Sequence, residues 1–417
     1  MVEKLFGDRV VTMSGMERRQ ALRVFATAAI TAPVAVFGLP AATANAATAS
    51  AATAPTKSAP LPNDGGTASL PALQRLLNAE QAAGMIGTFA CVRHGSRTSG
   101  LVAGCADTGT RRAPRTSMRH RVGDVTKTFT AATVVLLACE GRIDLDKPIC
   151  TYLPDLLPTE LGMIVTIRML LNHTSCIADY EPVLFASAQG VVDGQRKRYT
   201  PADLVMCGLE MTGSVMPGEM FLYSDTNYVI LGCLIEKITG EHYENAVERR
   251  ILRPLRLEDT YFPGTDKRIS GSHMTAYVPV KGMFCDVTDY DMSYAWAAGS
   301  LVSSANDVQR FYAALLGGRL LPSMGLREML TAVPMDAANP QAGAYGLGIK
   351  CVPGEHGVMW GHDGYAPGHA TFAWNSPDGR SVQLFQAENL TWYAGSHGSS
   401  VNAIDKARTA FEEAACR

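Results

Sequence analysis

Asp124 and Lys127 stand three residues apart at the head of an apolar stretch, so a helix starting there sets a carboxylate and an ammonium one turn from each other on one face. Left alone, they form an ion pair in which each keeps the other charged. The aspartate pKa is then lowered and that of the lysine raised, which makes the first a weak base and the second a poor one. At the start of a helix the carboxylate can also accept backbone N–H bonds and is favoured by the helix dipole. Offered a substrate, it could instead act as general base on water or on an acidic C–H, or as nucleophile at an alkyl carbon such as an epoxide. Acyl transfer is closed to it, because attack on an amide gives an anhydride, higher in energy than the amide. His362 lies between Gly361 and Gly364, which let a ligand approach the backbone of an expected strand.

The stretch Arg121-Val122-Gly123-Asp124-Val125-Thr126-Lys127-Thr128-Phe129 resembles the F-R-I-G-S-V-T-K-T-F signature of the serine β-lactamase and DD-peptidase superfamily. In that family the S-x-x-K serine is the acylated nucleophile and the lysine handles its proton. Here the lysine is present and an aspartate stands in place of the serine. Leu170-Leu171-Asn172-His173-Thr174-Ser175 is similar to L-L-N-H-T-S-G-I, with Cys176 where glycine is usual, so a cysteine is asked to take a turn that glycine takes freely. Phe221-Leu222-Tyr223-Ser224-Asp225-Thr226-Asn227-Tyr228 resembles the Y-x-N or Y-S-D motif, whose tyrosine carries protons in class C β-lactamases, secreted DD-carboxypeptidases and related esterases. Trp360-Gly361-His362-Asp363-Gly364 resembles the K-T-G or H-x-G strand, and Ala297-Ala298-Gly299-Ser300-Leu301 the A-G-G-L segment before a helix. The resemblance implies an α/β (α+β) fold, an antiparallel sheet flanked by helices plus an all-helical subdomain. It also implies a cleft in which Asp124, Lys127, Tyr223 and His362 meet, with Asp225, Asn227, Asp363 and Gly364 as substrate-binding residues and Asn172 and His173 holding a loop.

Three functional readings stand at this point. One is an enzyme with chemistry other than acyl-serine, a hydrolase, cyclase, isomerase or lyase acting on a small peptide-like or secondary-metabolite substrate. Another is a protein whose cleft holds D-Ala-D-Ala-like or β-lactam ligands without turnover. The last is a recently disabled esterase or peptidase. Fold alone does not choose among them.

The elements that must position these residues follow from periodicity. Strands are expected from Ile86 to Val92 and Gly100 to Gly104, turning at His94-Gly95-Ser96. Apolar residues at three- and four-residue spacing from Val125 to Cys139 predict a helix stopped by Gly141. Further helices are expected over Leu204–Met211, Tyr228–Ile238 ended by Gly240, and Val308–Leu316 after a capping start at Ser304. Strands return over Tyr345–Cys351, Val358–His362 and a hairpin from His369 to Glu388, before a closing helix carrying Val401, Ile404, Ala407 and Phe411.

The ends read differently from the middle. Arg18-Arg19, a mildly apolar run from Phe25 to Leu39 and the small-residue site Ala44-Asn45-Ala46 predict a twin-arginine export signal over residues 1–46, with Met16 as an alternative start. The run is short for a membrane anchor and carries Pro33, so no stable span and an extracytoplasmic location are expected. Residues 47–66, rich in Ala, Thr, Ser and Pro, read as a disordered linker before a β-lactamase-like domain over 67–417 with a helical insertion at about 124–300. With 47% hydrophobic residues in 417 the chain can bury a large core, and a net charge of −2 gives no field for nucleic acid. The ten cysteines show no CxxC spacing and the nine histidines are scattered, so neither metal nor other cofactor is expected and the partner is a small ligand, taken up by a monomer. Most cysteines should be small core residues, Cys139 and Cys233 among them, with Cys416 as the candidate tether.

Overall fold

The computed structural model describes residues 68–417 apart from His356 and 394–399. The expected export signal and linker lie outside the described residues. The chain opens on α1 (Leu70–Ala82), a helix that the sequence reading does not anticipate, and continues as the hairpin β1 (Gly87–His94) and β2 (Arg97–Gly104). After β3 (His120–Arg121) come α2 (Val125–Cys139), α3 (Pro201–Met211) and α4 (Asp225–Thr239), then a separate hairpin of β4 (Tyr277–Val280) and β5 (Met283–Asp286). This hairpin interrupts the otherwise helical middle of the chain. The short α5 (Trp296–Gly299), β6 (Val302–Ser303) and α6 (Ala305–Leu316) lead to β7 (Val333–Pro334), β8 (Ala344–Tyr345), β9 (Lys350–Gly354), β10 (Gly357–Ala366), β11 (His369–Asn375) and β12 (Val382–Glu388). The closing helix is α7 (Ser400–Ala415).

Eight of the strands make one sheet in the order β2-β1-β12-β11-β10-β9-β8-β7, antiparallel throughout, so the first and last strands of the chain are neighbours. Alternation decides which face each side chain takes. Phe89, Cys91, Phe385 and Ala387 enter the large core beneath α2, α4 and α6, while Ala90, Val92, Leu384 and Trp374 enter a smaller core under α1 and α7. Helix α2 is buried on nearly every side, with Phe129 stacked on Phe311 of α6 at 3.7 Å between centroids. Gly141 ends it in the left-handed region at φ 71°, and Gly240 does the same for α4 at φ 72°. Among the described residues no helix is long and apolar enough to cross a membrane.

The cysteines depart from expectation. Only Cys91 and Cys176 are buried, and Cys139 is exposed, because it is the last residue of α2, where the helix leaves the core. All ten are free thiols within this chain, Cys416 among them.

Where α1 and α7 meet the sheet, a buried polar cluster lies beside the apolar core. Gln386 Nε2 donates to Glu80 Oε2 at 2.6 Å, Arg408 pairs with Glu388 at 3.1 Å, and Trp374 Nε1 donates to Glu412 Oε2 at 3.1 Å. Burial pushes Glu80 well above the usual carboxylate range and Glu412 up to about 8, against the pull of Arg408. The folded chain therefore holds protons at neutral pH that the unfolded chain, with an ordinary glutamate value of 4.5, has released. The contribution of these glutamates to stability should fall as pH rises from about 4.5 towards about 8, while that of buried histidines such as His362, depressed to about 4, rises up to about 6.5. Thermal melts of the wild type and of Glu412→Gln across that range isolate the contribution of Glu412: the stability of the wild type relative to the variant should fall as pH rises, and a relative stability that climbs with pH would contradict the assignment.

Candidate active site

Two glycines bring the site together. Gly123, at φ 51°, precedes α2 so closely to β10 that a Cβ there would lie 2.5 Å from the backbone N and O of Tyr365. A Cβ on Gly364 would lie 2.1 Å from Val122 O and 2.7 Å from Asp124 N. Only bare backbone allows β10 to lie across the head of α2. The consequence is a hydrogen bond from the Tyr365 backbone N–H to Asp124 Oδ2 at 2.9 Å. Asp124 does not cap its own helix, in contrast to the helix-start role expected from sequence, because its backbone is already helical and its side chain turns to β10 and Lys127.

Lys127 is fully buried and is the hub of the cluster. Its Nζ lies 2.5 Å from Asp124 Oδ1 and 2.7 Å from Asp225 Oδ1, and donates to Ala298 O at 3.3 Å. The Tyr223 ring centroid is 4.9 Å away and that of Tyr228 5.6 Å. One ammonium thus serves two carboxylates brought from the heads of α2 and α4. Asp225, expected to face substrate, is instead only 5% exposed at its side chain and committed to Lys127.

The charge states follow. Burial alone would raise Asp124 and lower Lys127, but each overrides this for the other: Lys127, His362 and the Tyr365 N–H hold Asp124 below the usual carboxylate value, and the two aspartates hold Lys127 above the usual lysine value. Asp225 is raised by burial and by Asp124 despite Lys127. Asp179, whose Oδ1 accepts from the backbone N–H of Glu181 at 3.0 Å and of Asp225 at 3.3 Å, is pushed up to about 8 by burial and by Asp225. Burial and the surrounding carboxylates drive the Tyr223 phenol well above its ordinary value, so it stays protonated.

His362 is on β10 as expected, but its ring is wholly buried beneath the cluster rather than open to the cleft. Its Nδ1 meets the Asp363 carbonyl, which can only accept, so the proton sits on Nδ1 and Nε2 accepts from the Tyr345 hydroxyl at 2.9 Å. Burial and then Lys350 depress it to about 4, leaving it neutral at physiological pH. Asp363 pairs with Lys350 of β9. Asn227, also expected at the substrate, turns inward: its Oδ1 accepts from Ser175 Oγ at 2.6 Å and its Nδ2 lies 3.3 Å from His173 Nδ1. Asn172 and His173 hold the neighbouring loop. Asn172 Oδ1 accepts from Thr174 Oγ1 at 2.7 Å, and His173, at φ 60°, accepts from the Ser224 N–H at 3.1 Å. Cys176 takes the turn expected of it at φ 56°, its thiol 3.2 Å from Met216 O.

Three participants escape sequence reading. The Tyr365 N–H and the Ala298 carbonyl are backbone groups, invisible to residue type. Lys350 is opposite Gly361 in the β9–β10 register, which sets it diagonally beside Asp363, and that register is fixed only by the folded sheet.

Breaking the hub tests how much the fold depends on it. Lys127→Met strands two carboxylates and should cost about 3–5 kcal/mol in urea denaturation. Asp124→Asn leaves the Lys127–Asp225 pair and should cost distinctly less. Equal losses would show that Asp225 does not hold the lysine.

The sequence model of the family described as Beta-lactamase matches residues 73–390. Among solved structures, a D-stereospecific amidohydrolase from Streptomyces sp. is 34% identical, with a TM-score of 0.72 over 82% of this chain and 98% of its own. The D-amino acid amidase from Ochrobactrum anthropi SV3, complexed with L-phenylalanine amide, is 26% identical, with a TM-score of 0.70 over 82% and 97%. PbpX of Bacillus subtilis (strain 168), named as a penicillin-binding protein, is 28% identical over 69% of this chain and 68% of its own. The family match runs through every residue gathered around Lys127, from the head of α2 to β10, and the chain belongs to the beta-lactamase family.

Proposed function

We propose that the chain uses a beta-lactamase-family cleft to hold a peptide-like ligand ending in a D-amino-acid amide or D-residue, and does not transfer its acyl group. In this reading Asp124 takes the place of the family's nucleophilic serine. The observation that carries it is the complete engagement of the Asp124 carboxylate: one oxygen at 2.5 Å from Lys127 Nζ, the other at 2.9 Å from the Tyr365 N–H. A carboxylate so bound, with a lowered pKa, is a weak base and a restrained nucleophile. Among the described residues no neighbour supplies the missing base. Lys127 already carries its proton, the Tyr223 phenol keeps its own, and His362 is locked between Tyr345 and the Asp363 carbonyl. The reading of Asp124 as general base or alkyl-carbon nucleophile requires this carboxylate to be released first, and nothing in the cluster favours its release. The ligand class rests on the amidohydrolase and amidase likenesses, which are properties of those proteins carried here as a proposal.

Intact-mass spectrometry should find no adduct after incubation with penicillins or a fluorophosphonate, whereas D-phenylalanine amide should bind saturably without release of ammonia. Ammonia release, or an adduct mapped between Asp124 and Lys127, would falsify the proposal.

Restoring a hydroxyl separates the two defects of the site. Asp124→Ser frees the Tyr365 N–H but leaves Lys127 paired with Asp225 at 2.7 Å, so the lysine stays protonated and acylation by p-nitrophenyl esters should remain slow. Asp124→Ser with Asp225→Asn removes both counter-charges and should acylate about tenfold faster or more. If the single variant equals the double, Asp225 is not what silences the lysine.

A further inference from the structure

A surface cavity of about 380 Å³ lies between the end of β1, the C-terminal part of α6 and the β11–β12 turn, and Arg93, Arg256, Arg310, Arg319 and Arg380 all line it. It shares no residue with the Lys127 cluster. The chain as a whole carries 37 basic and 39 acidic residues, so five guanidinium groups around one cavity are a local segregation of charge. None of the five has a carboxylate within 4.0 Å among the described residues. Arg310 is held by the Leu255 carbonyl at 2.7 Å, and Arg93 makes only long contacts, 3.4 Å to Thr98 Oγ1 and 3.5 Å to Gln383 Oε1. The Arg256, Arg319 and Arg380 side chains make no hydrogen bond to the described protein. The Arg380 guanidinium lies over the end of α6, where a Cβ on Gly317 would meet its Nη2 at 3.4 Å.

The negative end of α6 attracts arginines. A helix end accounts for about half a unit of charge, which offsets one guanidinium in part and not five. Like charges around a concavity repel one another and concentrate counter-ions in it. Guanidinium forks match phosphate oxygens two at a time, and the cavity size falls in the range of small-ligand sites. The lining offers no aromatic ring on which a base or sugar could stack, so the ligand is mostly charge. We propose that this cavity binds a soluble oligophosphate or multiply phosphorylated small molecule.

Calorimetric titration of sodium tripolyphosphate into the full chain at low ionic strength tests this. Saturable binding to one site is expected, stronger than for orthophosphate and weakened by added salt. Arg319→Gln with Arg380→Gln should lower the affinity about tenfold or more without shifting the thermal melt, since neither side chain bonds the protein among the described residues. Arg75→Gln, an exposed arginine on α1 outside the cavity, should leave it unchanged. Absence of saturation, an unaltered affinity in the double variant, or an equal loss in Arg75→Gln would each overturn the proposal. So would capture by phosphatidic acid vesicles that tripolyphosphate does not displace, which would assign the cavity to a lipid headgroup.

Discussion

The organisation of the cleft depends on one fully buried ammonium, that of Lys127. Removing a charge of this size from water costs several kcal/mol even after relaxation, so the fold must bring it compensation from several directions. It does so from three helix ends: Asp124 at the head of α2, Asp225 at the head of α4 and the Ala298 carbonyl in α5. These segments are far apart in sequence, and their convergence ties α2, α4 and α5 to one another. Two carboxylates on one lysine also set the electrostatics around it. Burial first and these charges after it raise Asp225 and Asp179 and keep Tyr223 neutral, while Lys127 lowers Asp124 against its burial.

The second constraint is steric. The head of α2 and strand β10 meet backbone to backbone, which Gly123 and Gly364 alone permit. That approach delivers the Tyr365 N–H to the rim of the site, where a side-chain hydroxyl at position 124 would leave it free for a ligand carbonyl. A carboxylate there is long enough to take the donor for itself. Beneath this layer His362, Tyr345, His173 and Asn227 form a buried polar shelf joined by hydrogen bonds, in which His173 Nε2 alone of the two ring nitrogens of His173 has no partner among the described residues. Several residues whose types suggest substrate contact are in fact members of this shelf.

Net charge conceals what the tertiary fold does with individual charges. The same chain buries a lysine between two acids in the cleft and leaves five arginines around the cavity at the end of α6 with no acid within 4.0 Å among the described residues. Average composition predicts neither, because both arise from elements that meet only after folding.

Much of the fold was nonetheless legible in the sequence, for local reasons. The hairpin β1–β2, the helices stopped by Gly141 and Gly240, the capped start of α6 and the strands after Val358 follow from periodicity and turn chemistry within a few residues, whereas the single strand expected over Tyr345–Cys351 is two strands, β8 and β9, that fold back on each other. The motifs around Asp124, Tyr223 and His362 identified the segments that form the cleft, and the i, i+3 spacing alone fixed the Asp124–Lys127 pair. Side-chain direction was not legible. Asp225 and Asn227 are two residues apart on one helix, yet one joins the lysine and the other the His173 loop, because rotation of α4 against its neighbours decides which face each meets. Nor could the sequence announce the Tyr365 N–H or the Lys350–Asp363 pair, since a backbone donor has no residue type and a cross-strand diagonal has no sequence spacing. Sequence by itself determined the elements and the one ion pair within a helical turn; the tertiary structure decided that this pair is closed by a second acid and a distant strand, because only packing sets distances between segments a hundred residues or more apart.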